Sequence, residues 1–247
     1  GKADVVELDP SDARRAQQEG KRVWISAPVD LLFLRFDLNR PPVQDQRLRE
    51  AVAASIDRLA IQKVLAQSYG EVAGGIFPQW LSGYSFLFST AMELNRAREL
   101  ARAMPTPPTL KLGYDPNDAL TSQIAERIAV NARDAGLTLR VAPLPLGWLR
   151  MPDTGTDARV ERVRIGGPTL GAAVRQATSK LGLSTEADTD SPEQVYSAER
   201  KLAGSFTDVP LLYVPELVGL AARVRGWSPT TWGDWHLENV SLEAEQP

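Results

Sequence analysis

Residues 31–58, LLFLRFDLNRPPVQDQRLREAVAASIDR, decide the fold. Leu31, Leu32, Phe33, Leu34 and Phe36 form a nearly continuous apolar run of strand length, the pattern of a buried strand. Asn39-Arg40-Pro41-Pro42 ends it, because proline donates no amide hydrogen and pushes its predecessor out of the helical region. Asp45 then stands at an N-cap position, and Leu48, Ala51, Val52, Ser55 and Ile56 recur on one face of a helix. Asp57-Arg58 marks a break, after which Ile61, Val64 and Leu65 begin a second helical face.

Upstream, residues 3–8 read as a strand and Asp9-Pro10-Ser11-Asp12 as a turn into a short polar helix through Gln18, ended by Gly20. Val23-Trp24-Ile25 reads as a separate short strand before Pro28. Downstream, Ser68 to Tyr84 is a loop region carrying Gly70, Gly74, Gly75, Pro78 and Gly83. Thr90-x-x-Glu93 has the form of a capping box for a helix to Met104, with Ala97, Leu100, Ala101 and Met104 inward. Beyond the stiff Pro105, Pro107 and Pro108 come strand 110–114, helix 120–135 and strand 137–141, with Gly136 at the helix C′ position. A strand–helix–strand of this length is a βαβ crossover, so part of the sheet is expected to be parallel. A strand over 157–165 follows, with Ala158, Val160, Val163 and Ile165 apolar. Next come a helix opened by Gly166-Gly167-Pro168-Thr169 and reaching about Leu183, a helix entered by Ser191-Pro192 and reaching Phe206, and a strand over 210–214.

The 247 residues suffice for one large or two modest domains, and 43% apolar with 24% charged residues is ordinary for a globular protein. A net charge of −3 argues against a nucleic-acid surface. No apolar run reaches the roughly eighteen residues of a membrane span. With no cysteine and a single histidine, His236, the usual base–nucleophile pairs and thiolate or histidine-rich metal sites cannot be assembled, so neither an enzyme nor a bound cofactor is expected. Asp115 with Asp118, or Asp188 with Asp190, have the composition of an acid–base pair, but each pair precedes a helix, where capping accounts for it.

Several of these features together resemble the extracellular solute-binding proteins of family 5, the oligopeptide, dipeptide and nickel receptors of ABC importers. The resemblance rests first on Asn39, Pro41, Pro42, Asp45, Arg49, Ala53, Ile56, Asp57 and Arg58. It extends to Gly1, Asp4, Val5 and Val6, to Pro78, Gly83 and Tyr84, to Ala135-Gly136 and to Asp157-Ala158. It implies an α/β fold: a periplasmic-binding-protein-like lobe with a mixed, partly parallel sheet flanked by helices. Residues 1–30 are then expected to be the tail of lobe one and the hinge approach, 31–223 lobe two, and 224–247, with Trp227, Trp232 and Trp235, a return toward lobe one. On this reading the chain, which starts at Gly1 without an export signal, is a piece of something longer and most of lobe one lies elsewhere. The implied function is capture of a peptide or other small solute outside the cytoplasm, periplasmic or extracellular, with an ABC permease as partner and no catalysis. A ligand-sensing domain of a transcription regulator and a scaffold domain without a ligand are the alternatives.

The candidate ligand residues are Trp80 and Tyr84 on the glycine-rich loop, and Arg162, Arg164, Gly166, Gly167 and Thr169 around the 165–170 turn. Amides at a helix N-terminus attract anions, and Arg162 and Arg164, two apart on a strand, share a face. Tight-turn chemistry with solvated arginines is the competing reading. In the family the corresponding loop carries a tryptophan and an acidic residue that holds the ligand's α-amine. Arginines and glycines stand there in this chain, so α-amine recognition is not carried over.

Overall fold

The computed structural model describes residues 3–84, 88–151, 153–165, 167–181 and 191–244. The apolar run at 31–36 is the second half of one strand. In chain order the elements are β1 (Val5–Glu7), α1 (Pro10–Gln18), β2 (Arg22–Phe36), α2 (Gln46–Ser55), α3 (Arg58–Ala60) with a π-helical turn (Ile61–Leu65), β3 (Glu71–Val72), α4 (Gln79–Ser82) and α5 (Leu94–Arg102). They continue as β4 (Thr109–Tyr114), α6 (Ala119–Asp134), β5 (Thr138–Pro143), β6 (Ala158–Arg164), α7 (Leu170–Leu181), α8 (Pro192–Ser205), β7 (Asp208–Leu220), β8 (Val224–Arg225) and β9 (Ser241–Leu242).

The main sheet runs β1-β7-β2-β6-β4-β5, with β3 also on β7. The β2–β7 and β2–β6 pairs are antiparallel, whereas β4 pairs in parallel with both β5 and β6. The sheet is therefore mixed and flanked by helices, and its parallel part contains the βαβ crossover through α6. Gly136 ends that helix with φ at 87°.

Period-two alternation sorts the strands' side chains onto two faces. Leu32, Leu34, Phe36, Ala158 and Val160 pack with α2 and α6 in one core. Leu31, Phe33, Val163 and Ile165 pack with Ala173, Val174 and Ala177 of α7 and Val195 of α8 in a second. A third, smaller cluster joins Val218, Leu220 and Val224 to Val5, Trp24, Trp227 and Trp235. Its rings meet edge to face, Trp24 on Trp227 with centroids 6.0 Å apart and Trp227 on Trp235 at 5.1 Å.

Four expectations need correction. The break before Pro28 is absent: 22–36 is one strand, and Pro28, directly across from Pro215 of β7, sits between two register shifts instead of ending the strand. Proline lacks the ladder donor and is accommodated in a sheet at such irregularities. The strand expected over 210–214 likewise spans Asp208–Leu220, and the register shift between Leu32 and Phe33 lies across from Pro210. The Thr90–Glu93 capping box does not form, because α5 starts only after Glu93, whose amide bonds Ala54 O instead. Val64 is 53% exposed, since the π-helical winding rotates it off the face that buries Ile61.

The residues between Asp45 and Arg58 act as a clamp. Asp45 caps α2 through the Arg47 amide, and Asp57 caps α3 through the Ala60 amide. Arg49, buried, donates to Ser205 O at the C-terminus of α8 and to Val43 O and Gln44 O. One cation thus satisfies the Ser205 carbonyl at the end of α8, which the helix cannot satisfy itself, together with two carbonyls of the loop before α2. Arg49→Ala should therefore lower stability by about 3 kcal/mol by leaving these acceptors unpaired. Urea unfolding would show it as a lower midpoint with an unchanged slope.

Candidate functional site

The first core face changes character along the strands. On β2 the series Phe36, Leu34, Leu32 ends in Asp30, and on β6 the series Ala158, Val160 ends in Arg162 and Arg164. Glu216 of β7 lies beside them. These residues form the floor of an open cleft of about 510 Å³. Its walls come from Leu8 to Asp12 at the start of α1, from Asn117 and Asp118 at the start of α6, and from Ala66 and Tyr69. Tyr69 ties the wall to α1 by donating to Gln17 Oε1 at 2.6 Å.

Asp30 and Arg164 are cross-strand partners, and Arg164 Nε donates to Asp30 Oδ1 at 2.7 Å. The other side of the guanidinium bonds Glu216. Arg162 bonds Asp118 Oδ2 at 3.0 Å, with Asp30 Oδ2 at 3.8 Å. Burial raises the Asp30 carboxyl above the ordinary value, against the pull of Arg164 and Arg162. Trp235 Nε1 donates to Glu216 Oε2 at 3.3 Å. Gly233 lies so close that a Cβ there would meet Arg164 Nη1 at 2.8 Å, at a φ of +88°. A side chain at 233 would crowd the Arg164–Glu216 pair, and the left-handed φ itself favours glycine there.

The lining holds six acidic residues, Glu7, Asp9, Asp12, Asp30, Asp118 and Glu216, against two arginines. The arginines are already engaged by carboxylates of the same cleft, so the net field is negative and favours a cationic group. The sequence-based expectation is of an anion at these arginines and the 165–170 turn.

The candidate residues fall into two groups. Arg162 and Arg164 share a face and line the cleft. Thr169 lies on the other side of the sheet, where α7 packs. Its Oγ1 accepts the Ala172 amide at 3.2 Å, a local cap of α7. Arginines and turn are thus not brought together. Gly167 backs onto the Ala173 amide, and Gly166 lies outside the described residues. Tyr84 is also on the α8 side, donating to Glu199 Oε2 at 2.5 Å and stacked edge-on to Tyr196. Trp80 is 43% exposed on α4, away from the cleft lining. Of the acid pairs, Asp118 caps α6 through the Thr121 amide, Asp115 accepts the Asn117 amide, and Asp188 and Asp190 lie outside the described residues. His236 is exposed beside Glu238. Among the described residues no cluster of three or more His, Asp or Glu could hold a metal ion.

Sequence reasoning missed Asp30, Glu216 and the acids Glu7, Asp9 and Asp12 of the β1–α1 segment, and preferred a capping role for Asp118 over an acid–base one. The available signal was Asp30 itself, a charge placed directly against an apolar run.

Residues 1–172 match the family of bacterial extracellular solute-binding proteins, family 5 Middle. The chain belongs to this family. Family-5 proteins bind solutes and are not enzymes. Among solved structures, NikA of Staphylococcus aureus, in complex with Ni(L-His)2, matches with a TM-score of 0.83 at 17% identity, over 98% of this chain and 58% of that one. The substrate-binding protein CtaP of Listeria monocytogenes matches with 0.78 at 17%, over 98% and 56%. The oligopeptide-binding protein AppA of Bacillus subtilis, in complex with a nonapeptide, matches with 0.78 at 13%, over 99% and 57%. The chain thus spans a little over half the length of these structures, and the likeness establishes the α/β fold. No curated protein matches the chain by sequence. Among the described residues, no helix is long and apolar enough to cross a membrane.

Glu199, fully buried on α8, holds the glycine-rich loop by accepting the Ile76 and Phe77 amides and the Tyr84 hydroxyl. Burial raises its carboxyl above the ordinary 4.5, although Tyr84 and the two amides pull the other way. A carboxyl raised by folding contributes stability fully below that ordinary value and loses it as pH rises through the folded value. Glu199→Ala should lower stability by about 3 kcal/mol, and Glu199→Gln much less, since the amide oxygen keeps both N–H partners. The stability of wild type relative to Glu199→Gln should fall as pH rises through that window. Denaturant melts from about pH 4 to about pH 8 would measure it.

Proposed function

We propose that this chain forms one wall of a solute-binding cleft in the substrate-binding component of an ABC-type importer, working outside the cytoplasm and delivering its solute to a permease. The observation that carries this reading is the charged cleft at the place where the β1–α1 segment meets β6 and α6. Family membership supports the class of function, and the cleft supports the chemistry. The small core shared by β1, the first half of β2 and the tryptophan segment supports a division near residues 30 and 223, although Val218 and Leu220 at the end of β7 also pack into it. Residues 1–30 and 224–247 then belong with lobe one, and 31–223 form lobe two.

The solute is a peptide or small molecule bearing a cationic group. Its charge is met by the carboxylates of Glu7 and Asp9 at the exposed rim and by the Asp30–Glu216 floor. Salt should weaken such binding, because the rim charges are screened within about 10 Å at 0.1 M ionic strength.

The test is calorimetric titration of the protein, as expressed from its own gene, with Lys-Ala-Lys and with Glu-Ala-Glu. The basic peptide should bind at least roughly tenfold more tightly, the equivalent of about 1.4 kcal/mol, and Glu7→Gln with Asp9→Asn should narrow the gap. Equal or reversed affinities would remove the cationic preference. Failure of both peptides would favour a scaffold domain without a ligand, a reading the full engagement of Arg162 and Arg164 would then fit.

A further inference from the structure

Arg58 closes the Ala-x-x-Ile-Asp-Arg run and takes no part in the cleft. It is only 3% exposed, yet no carboxylate among the described residues forms an ion pair with it. Its Nε donates to Pro210 O at 2.9 Å and its Nη1 reaches Ala53 O at 3.5 Å, while Asp57 beside it is spent on capping α3. Nη2 has no acceptor among the described residues. Burial lowers the pKa to about 10, so the group stays a cation at neutral pH. A buried cation held mainly by two carbonyls is an incomplete electrostatic arrangement.

The same guanidinium lines a cavity of about 370 Å³ between α2, the start of α5 and the end of α8, within the size range of small-molecule sites. Ala53, Phe88, Phe206 and Val209 supply apolar walls. Arg96 and Arg200 are exposed at its rim; Arg96 is bound to Glu50, whereas Arg200 has no ion pair or hydrogen bond among the described residues. Glu93 also lines the cavity and favours the charged form of Arg58, but makes no ion pair with it. Three arginines thus face two carboxylates, one of them engaged. None of these residues lines the cleft.

We propose that this cavity is a second binding site, for a small amphipathic carboxylate. Its apolar tail lies against Phe88, Phe206 and Val209, and its carboxylate faces Arg58 and Arg200. A charge-assisted bond gives Arg58 Nη2, which bonds no acceptor among the described residues but is not sealed from solvent, an anionic partner, which an alcohol of the same length does not supply.

The test uses hexanoate and 1-hexanol as probes on the natively expressed protein, read by calorimetry and by ligand-observed NMR. Hexanoate should bind at least roughly tenfold more tightly than hexanol. Arg200→Glu, at an exposed position, should weaken hexanoate by a similar factor with an unchanged melting temperature, while Lys-Ala-Lys titrations stay as they are. Phe88→Trp, which fills the cavity, should abolish hexanoate binding. The proposal is overturned if hexanoate does not bind, if hexanol binds equally, or if Arg200→Glu leaves hexanoate affinity unchanged.

Discussion

The antiparallel pairing of β2 with β7 is the constraint on which the rest depends. Thirteen residues of β7 run against fifteen of β2; β1 and β3 attach to β7, β6 attaches to β2, and β4 and then β5 follow outward from β6. Both strands are apolar on both faces in their inner halves, so they belong between two helix layers. Beyond Pro28 and Pro215 the neighbours change: β1 replaces the helix-covered sheet, and a small tryptophan core replaces the two large ones. Two prolines facing each other remove two ladder donors there. A hinge between the two proposed lobes would fall at this interruption of the pairing.

The cleft floor follows from the same geometry. Where the α6 side of the sheet runs out of helix cover, the residue type switches from leucine and valine to aspartate, arginine and glutamate. An ion-pair network at such a border is only partly desolvated, so it tolerates charge without the full penalty of a deep interior. Asp30 shows the balance: burial alone pushes its carboxyl up, and the two arginines pull it back down. The same network makes the arginines poor anion receptors, because a ligand anion would have to displace Asp30, Asp118 or Glu216 from them.

Much of the scaffold was legible because it is encoded locally. The cap at Asp45, the break at Asp57-Arg58, the βαβ unit, the left-handed Gly136 and the inward faces at 97–104 and 158–165 all follow from spacing within a few residues. The misreadings share a cause. Pro28 looked like a terminator because its partner strand lies nearly two hundred residues away in sequence. Glu93 looked like a capping-box acid because Ala54, which takes its amide, is equally invisible in the local window. Arg162 and Arg164 were rightly placed on one face, but which face was decided by the packing of α7 against Val163 and Ile165. The acids that neutralise them arrive from β2, β7 and α6.

The family signature itself divides along the same line. Asp45, Arg49, Asp57 and Arg58 are the charged residues of that signature in an alanine-rich segment, the two aspartates at N-cap positions, Arg49 within α2 and Arg58 at the first position of α3. Three are accounted for by scaffold duties: two helix caps and the clamp on the end of α8. Arg58 is the exception. Its scaffold contacts are the bond to Pro210 O and a longer one to Ala53 O, which neutral donors would make with far less desolvation. Keeping a full guanidinium at that depth, beside an apolar cavity and an uncommitted second arginine, is explained once an anion is part of the arrangement. The site for solute and the site for carboxylate would then sit on different borders of the same lobe, each where a buried face gives way to charge.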